Sequence, residues 1–136
     1  MEQAQIGIVG GSGLYDMAAV TDRREVTLTT PFGEPSAPYV LGTLEGKRVA
    51  FLARHGRGHR ISPTELPVQA NIWALKAAGV TALMAVAAVG GIRPELVPGT
   101  LLVPDQIIDY TWGREHTFSA EGHVLHADCT EPYDRD

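Results

Sequence analysis

Candidate chemistry gathers in Val49 to Arg60, VAFLARHGRGHR. Five apolar residues end abruptly in Arg54 and His55, followed by Gly56, Arg57, Gly58 and His59. A buried strand that surfaces into such a turn leaves a guanidinium and an imidazole at the end of a sheet. Guanidinium offers planar, paired donors that suit phosphate or carboxylate, and glycines let the backbone pass close to a ligand. The plain alternative is a surface loop that happens to be basic. A second loop bears on the choice. Gln5 to Val9 reads as a short buried strand and runs into Gly10, Gly11, Ser12 and Gly13, whose N–H groups can converge on an anion with the Ser12 hydroxyl as a further donor. This text is not G-x-G-x-x-G, has no Gly-Lys-Ser/Thr of a P-loop, and puts Leu14 where a nucleophile elbow needs glycine. Alone it is equally a tight turn.

A third strand ends in the same way. Thr81 to Val89, TALMAVAAV, is the most continuous apolar run and stops at Gly90-Gly91. Being apolar on both faces, it is expected to be a central strand covered by helices on either side. In α/β proteins ligands sit at the carboxyl ends of strands, so the three loops are expected to line one pocket.

The remaining elements must hold those loops in place. Glu25 to Thr29 is expected as a strand, and Thr30 to Pro38 (TPFGEPSAP) as a loop. Tyr39 to Leu44 and Lys47 to Ala53 form a hairpin around Glu45-Gly46, and its second strand delivers Arg54. Ser62, Pro63, Thr64 and Glu65 have the pattern of a capping box, but Pro67 would forfeit a helical bond. A single turn is therefore expected, then a main helix from about Pro67 to before Gly79. Val68, Ala70, Ala74, Leu75, Ala77 and Ala78 cover most of its circumference, so it is expected to be largely buried. Asn71 falls among them, where an unpaired amide would cost about 1–3 kcal/mol, so it is expected to tie down a neighbouring loop. Leu101 to Val103 begin another strand that continues through Ile107-Ile108. Tyr110 to Asp136 shows no period of either kind.

Composition narrows the function classes. The chain has 136 residues, 44% of them hydrophobic, enough for one compact domain. No apolar run approaches the roughly 18 residues of a membrane helix, and the N-terminus lacks the pattern of a secretory signal. Cys129 is the only cysteine, which excludes an internal disulfide and makes a reducing, cytoplasmic setting the default. Net charge is −5 without blocks of like sign, so a nucleic-acid footprint is absent and a small anion suits the basic loop better than a polymer. His116, His123 and His126 have neither i, i+4 spacing nor an H-E-x-x-H pattern, and no metal is expected there.

Six segments stand in order along the chain: IGIVGGSGLYD at Ile6 to Asp16, TPFGEPS at Thr30 to Ser36, LARHGRGHRISP at Leu52 to Pro63, QANIWALKAAG at Gln69 to Gly79, AVGGI at Ala88 to Ile92 and DQIIDYTWGREHTF at Asp105 to Phe118. In these segments the chain resembles the 5'-methylthioadenosine phosphorylase branch of the purine nucleoside phosphorylases. AVGGI, GREHTF and HADCTEPYD resemble most the bacterial subgroup acting on 5'-methylthioinosine. The resemblance implies an α/β, phosphorylase/hydrolase-like three-layer fold with a central mixed β-sheet, a homotrimer, and no metal or organic cofactor beyond inorganic phosphate as co-substrate. It implies phosphate contacts from Ser12, Arg54, His55, Ala87 and Ala88. Gly90 and His126 are implied on the substrate side, His126 reaching the 5'-alkylthio group of a neighbouring subunit's substrate. Relatives often carry threonine where this chain has Ala87, which removes a hydroxyl donor, and Tyr where it has Val68. The family's chains are nearly twice as long, and the further part carries the leaving-group residue. The 136 residues are therefore expected to be the N-terminal part of one phosphorylase domain, incomplete at the C-terminus, with at most crippled activity and no catalytic residue assignable within it. A nucleoside hydrolase and a non-catalytic phosphate- or nucleotide-binding module are the competing readings.

Overall fold

A computed structural model describes residues 4–11, 14, 17–115, 117–120 and 122–135. The chain divides into two units, 1–88 and 89–136. In the first, β1 (Ile6–Gly10), β2 (Thr21–Val26), β3 (Tyr39–Leu44), β4 (Lys47–Ala53), a 3-10 turn at Pro63–Glu65, α1 (Val68–Ala77) and β5 (Ala82–Ala85) follow in order. They build a mixed five-stranded sheet in the order β2-β3-β4-β1-β5. β1 runs parallel to β4, with Ile8 opposite Phe51, and parallel to β5, with Ile8 opposite Met84. β3 is antiparallel to both β2 and β4.

Alternation along the strands sends two apolar sets to opposite faces. Val9, Tyr39, Leu41, Ala50 and Leu52 pack with Ala74 and Leu75 of α1. Ile8, Val49 and Phe51 face the other way, against Leu14, Met17 and Val20. Gly7 lies under the helix: a Cβ there would come within 2.9 Å of Val80 Cγ1 and 3.2 Å of Leu75 Cδ2. The missing side chain is what lets α1 settle on β1.

The hairpin forms as expected. Glu45 and Gly46 both have positive φ, 49° and 77°, the signature of a two-residue I′ turn that matches strand twist. At the 3-10 turn the Ser62 N–H and hydroxyl both donate to Glu65 Oε2, at 3.3 and 2.6 Å, and hold that carboxyl below its usual range. α1 ends in a Schellman motif, with Gly79 N–H donating to the Lys76 carbonyl at 3.0 Å and Val80 N–H to the Leu75 carbonyl at 3.1 Å. Gly79 takes φ 88° to make that turn.

Four expectations need correction. β2 spans Thr21–Val26 rather than Glu25 to Thr29. It is a polar edge strand with Asp22 at φ 49° and an irregular register between Thr21 and Arg24, so no apolar alternation marks it. α1 is buried on one face only, through Ala70, Asn71, Ala74 and Leu75, while Val68 and Ile72 are exposed. A single sheet meets a single stripe of a helix. β5 is four residues long rather than nine, stands last in the sheet order, and leaves Leu83 and Met84 48% and 59% exposed. An apolar run reveals that a strand can be covered on both faces; its covering has to come from other elements. Finally, Leu101 to Ile108 forms no strand. The described residues of 89–136 include no helix, no strand and no buried residue, with Leu101 96% exposed. Strand backbone needs a partner ladder, and Pro104 within the run supplies no N–H to one. That unit is held by local bonds, such as the Thr111 and Thr130 N–H groups donating to Asp109 and Asp128 at 2.8 and 2.9 Å, and by Gln106 Nε2 donating to the Thr130 carbonyl at 3.1 Å.

Tyr39 provides a pH signature. It is buried, its hydroxyl donates to the Asn71 carbonyl at 2.6 Å, and burial pushes the phenol above its ordinary range. The unfolded chain ionises first, near pH ~10, so the contribution is fully present below that value and is lost as pH rises above it. Unfolding free energy is expected to fall by up to about 1.4 kcal/mol per pH unit there, measured by urea titration, and Tyr39→Phe is expected to flatten this limb. An identical slope in the variant would contradict the assignment.

Candidate functional site

The carboxyl ends of β4, β1 and β5 lie side by side. Gly10 is opposite Ala53 and Val9 opposite Ala85. Beyond the regular ladder, Arg54 N–H donates to the Gly10 carbonyl at 3.1 Å, and Val86 N–H to the Val9 carbonyl at 2.8 Å. The glycine turn after β1 thus emerges between the arginine turn on one side and Val86 to Ala88 on the other. Leu14 N–H donates to the Gly11 carbonyl at 3.2 Å. Among the described residues, its chain neighbours aside, no atom lies within 4 Å of where a Cβ on Gly11 would stand. Ser12 and Gly13 lie outside the described residues.

The turn from Arg54 to Ile61 is tightly wound. Gly56 N–H donates to the Ala53 carbonyl at 3.0 Å and Ile61 N–H to the His55 carbonyl at 3.1 Å. Gly56 at φ 71° passes so close to the 30–38 loop that a Cβ would sit 3.1 Å from the Ser36 carbonyl oxygen. His55 is buried, at 8% exposure, as is Gly56, although Arg54 before them is half-buried and residues 57–60 after them are exposed. Its Nδ1 lies 2.9 Å from the Ile61 carbonyl oxygen, its Nε2 3.3 Å from Arg54 Nε, and its ring stacks on His59 with centroids 4.6 Å apart.

The other cations of the loop are directed elsewhere. Arg57 is ion-paired with Glu25 of β2, and Arg60 Nε donates to the Arg57 carbonyl at 3.1 Å. Arg54 has no acidic partner among the described residues. What the arrangement offers chemically is a guanidinium with its main chain anchored to β1, beside the backbone of Gly10 and Gly11. Such a site favours an oxyanion.

Of the residues singled out in sequence, Arg54, His55, Ala87 and Ala88 belong to the first unit, Ala87 and Ala88 following Val86 past the end of β5. Gly90 and His126 belong to the second unit, where both are exposed. Among the described residues no group of three His, Cys, Asp or Glu could hold a metal; His116 is outside them. Sequence reasoning did not reach the Ile61 carbonyl or Glu25. A main-chain acceptor leaves no trace in residue type, and Glu25 meets Arg57 only through strand pairing.

A sheet with a parallel centre, its strand ends gathering a glycine turn, an arginine turn and an alanine pair at one edge, defines an α/β protein of the kind that meets ligands there. The chain belongs to the Phosphorylase superfamily, whose family profile matches residues 5–136. It is 56% identical over 130 residues to the S-methyl-5'-thioadenosine phosphorylase of Koribacter versatilis, covering 96% of this chain and 44% of that one. It is 52% identical over 134 residues to the enzyme of the same name from Chloroflexus aurantiacus, covering 98% and 46%. The fold is similar to a methylthioadenosine phosphorylase from an antarctic soil metagenomic library, with TM-score 0.92 and 49% identity over 97% of this chain and 46% of that one. It is also similar to the Schistosoma mansoni methylthioadenosine phosphorylase in complex with tubercidin, with TM-score 0.88 and 40% identity over 96% and 48%. The resemblance drawn from the motifs, and the phosphorylase fold it implied, are borne out. The chain spans about half the length of the curated relatives it matches.

Proposed function

We propose that this chain supplies the phosphate side of a purine nucleoside phosphorylase, a pentosyltransferase acting on 5'-methylthioadenosine or 5'-methylthioinosine. The observation that carries the reading is the Arg54 main chain bonded to Gly10, which sets a guanidinium beside the glycine turn at the strand ends. In this reaction a phosphate oxygen forms a bond to C1' as the glycosidic bond breaks. Its electron pair departs with the purine, and the products are free base and 5-methylthioribose 1-phosphate. The sugar carries oxocarbenium character in between, so a fixed phosphate both attacks and balances charge. Catalysis of this kind is mainly positioning and electrostatics. No protein nucleophile is needed.

In this reading Arg54 holds phosphate bidentately with His55 beside it, Ser12 and the Gly10 to Gly13 amides orient it, and the Ala87 and Ala88 backbone completes the contacts. Gly90 and His126 serve the nucleoside. Inorganic phosphate is the co-substrate and no metal or organic cofactor takes part. A homotrimer working in cytoplasmic purine salvage belongs to the same reading, supported by the family and by the single, exposed Cys129. No helix among the described residues is long and apolar enough to cross a membrane.

The test is to titrate inorganic phosphate into the chain while following amide resonances, and to assay purine release from both nucleosides with and without phosphate. Phosphate is expected to shift Gly10, Gly11 and Arg54, and any base release, slow in this chain, is expected to require it. Release independent of phosphate would establish a hydrolase instead. Unmoved resonances in that trio would remove the anion site altogether.

A further inference from the structure

We propose that the His55 side chain acts by positioning at the phosphate site: a neutral imidazole in the Nδ1–H tautomer, its ring aims the Arg54 guanidinium and does not itself donate to the anion. The inference rests on the phosphate reading above for the identity of the anion, and on the hydrogen bonds of the loop for everything else.

Two contacts determine the protonation of the ring. Nδ1 lies 2.9 Å from the Ile61 carbonyl oxygen, and a carbonyl can only accept. Nδ1 therefore carries hydrogen. Nε2 lies 3.3 Å from Arg54 Nε, which can only donate. Nε2 therefore presents its lone pair. Together the contacts specify one tautomer, as a second hydrogen bond on a ring commonly does. A cationic ring would set N–H against N–H beside a guanidinium.

The surroundings make the ring a fixed acceptor. His55 is buried, it stacks against His59, and its own carbonyl accepts from Ile61 N–H at 3.1 Å, so the Ile61 backbone grips the residue at both ends. The consequence falls on Arg54. A free arginine samples many rotamers, and ordering it on a ligand costs binding free energy. With Nε held by Nε2 and the main chain held by Gly10, the terminal guanidinium nitrogens form the remaining donor edge. That edge is a two-point match for an oxyanion.

Long-range 1H–15N spectra of the imidazole in the intact chain read the tautomer without any assay. Expected for His55 at neutral pH is a protonated Nδ1 and a bare Nε2; a protonated Nε2 would overturn the proposal. Two variants separate aiming from mere folding. His55→Gln keeps an acceptor that extends to the place of Nε2, and phosphate affinity is expected to stay within about threefold of the parent. His55→Asn keeps a donor for the Ile61 carbonyl but no acceptor for Arg54, and affinity is expected to fall about tenfold, the usual effect of losing one charge-assisted bond. Equal affinities in the two variants would overturn it. Should the parent chain bind no phosphate, the phosphorylase reading fails, while the tautomer spectrum still decides the His55–Arg54 pairing.

Discussion

Arg54→Ala is expected to weaken inorganic phosphate binding by about 100-fold, because it removes two charge-assisted hydrogen bonds worth on the order of 3 kcal/mol together. The fold is expected to survive. Arg54 N–H still reaches the Gly10 carbonyl in the variant, and the lost guanidinium has no acidic partner among the described residues. Calorimetric titration with phosphate at constant ionic strength is the measurement, with circular dichroism as the control for folding. Arg57→Ala is the matched comparison. Arg57 sits in the same loop with the same charge but is exposed and ion-paired with Glu25, so its loss is expected to change phosphate affinity less than about threefold, through general electrostatics alone. Equal losses in the two variants would mean that the loop attracts anions by charge and holds none by geometry.

Asn71→Ala is expected to destabilise the chain by about 3 kcal/mol, a large fraction of a small domain's stability. Asn71 is 6% exposed on the sheet-facing side of α1. Its Oδ1 accepts from Ser36 N–H at 2.8 Å and its Nδ2 donates to Ser36 Oγ at 2.8 Å. Truncation removes both bonds and strands a part-buried backbone N–H, each orphaned group costing about 1–3 kcal/mol. Urea unfolding with an unchanged dependence on denaturant would measure it, and a loss under 1 kcal/mol would show that the loop finds other partners. Because Gly56 packs against the Ser36 carbonyl, the same variant is expected to loosen the Arg54 turn, with faster hydrogen exchange at the Gly56 amide.

Asn71 also illustrates how much could be read before any tertiary structure. A single amide in an apolar helical row must find partners, so its tethering role followed from residue type alone, though not the identity of Ser36. The capping box at Ser62, the helix end before Gly79 and the hairpin around Glu45-Gly46 were equally legible, since each is settled by contacts within a few residues. The anion loop was legible as composition, arginine and histidine between an apolar strand and glycines. The motif order from Ile6 to Phe118 was specific enough to indicate the family.

Local chemistry by itself therefore determined the hairpin, the end of the helix and the tethering of the buried amide, and it set Arg54 and His55 among glycines at the end of an apolar strand. Tertiary structure alone decided which strand stands at the edge, how much of β2 pairs, that β5 is bare on its faces, and that Arg54, Gly10 and Val86 share one rim. It alone also supplied the Ile61 carbonyl that selects a tautomer for His55. The division has a physical cause: turns, caps and alternation are decided by forces between near neighbours in the chain. Coverage, strand order and the proton on an imidazole depend on which distant surfaces meet, and no residue type states its distant neighbour.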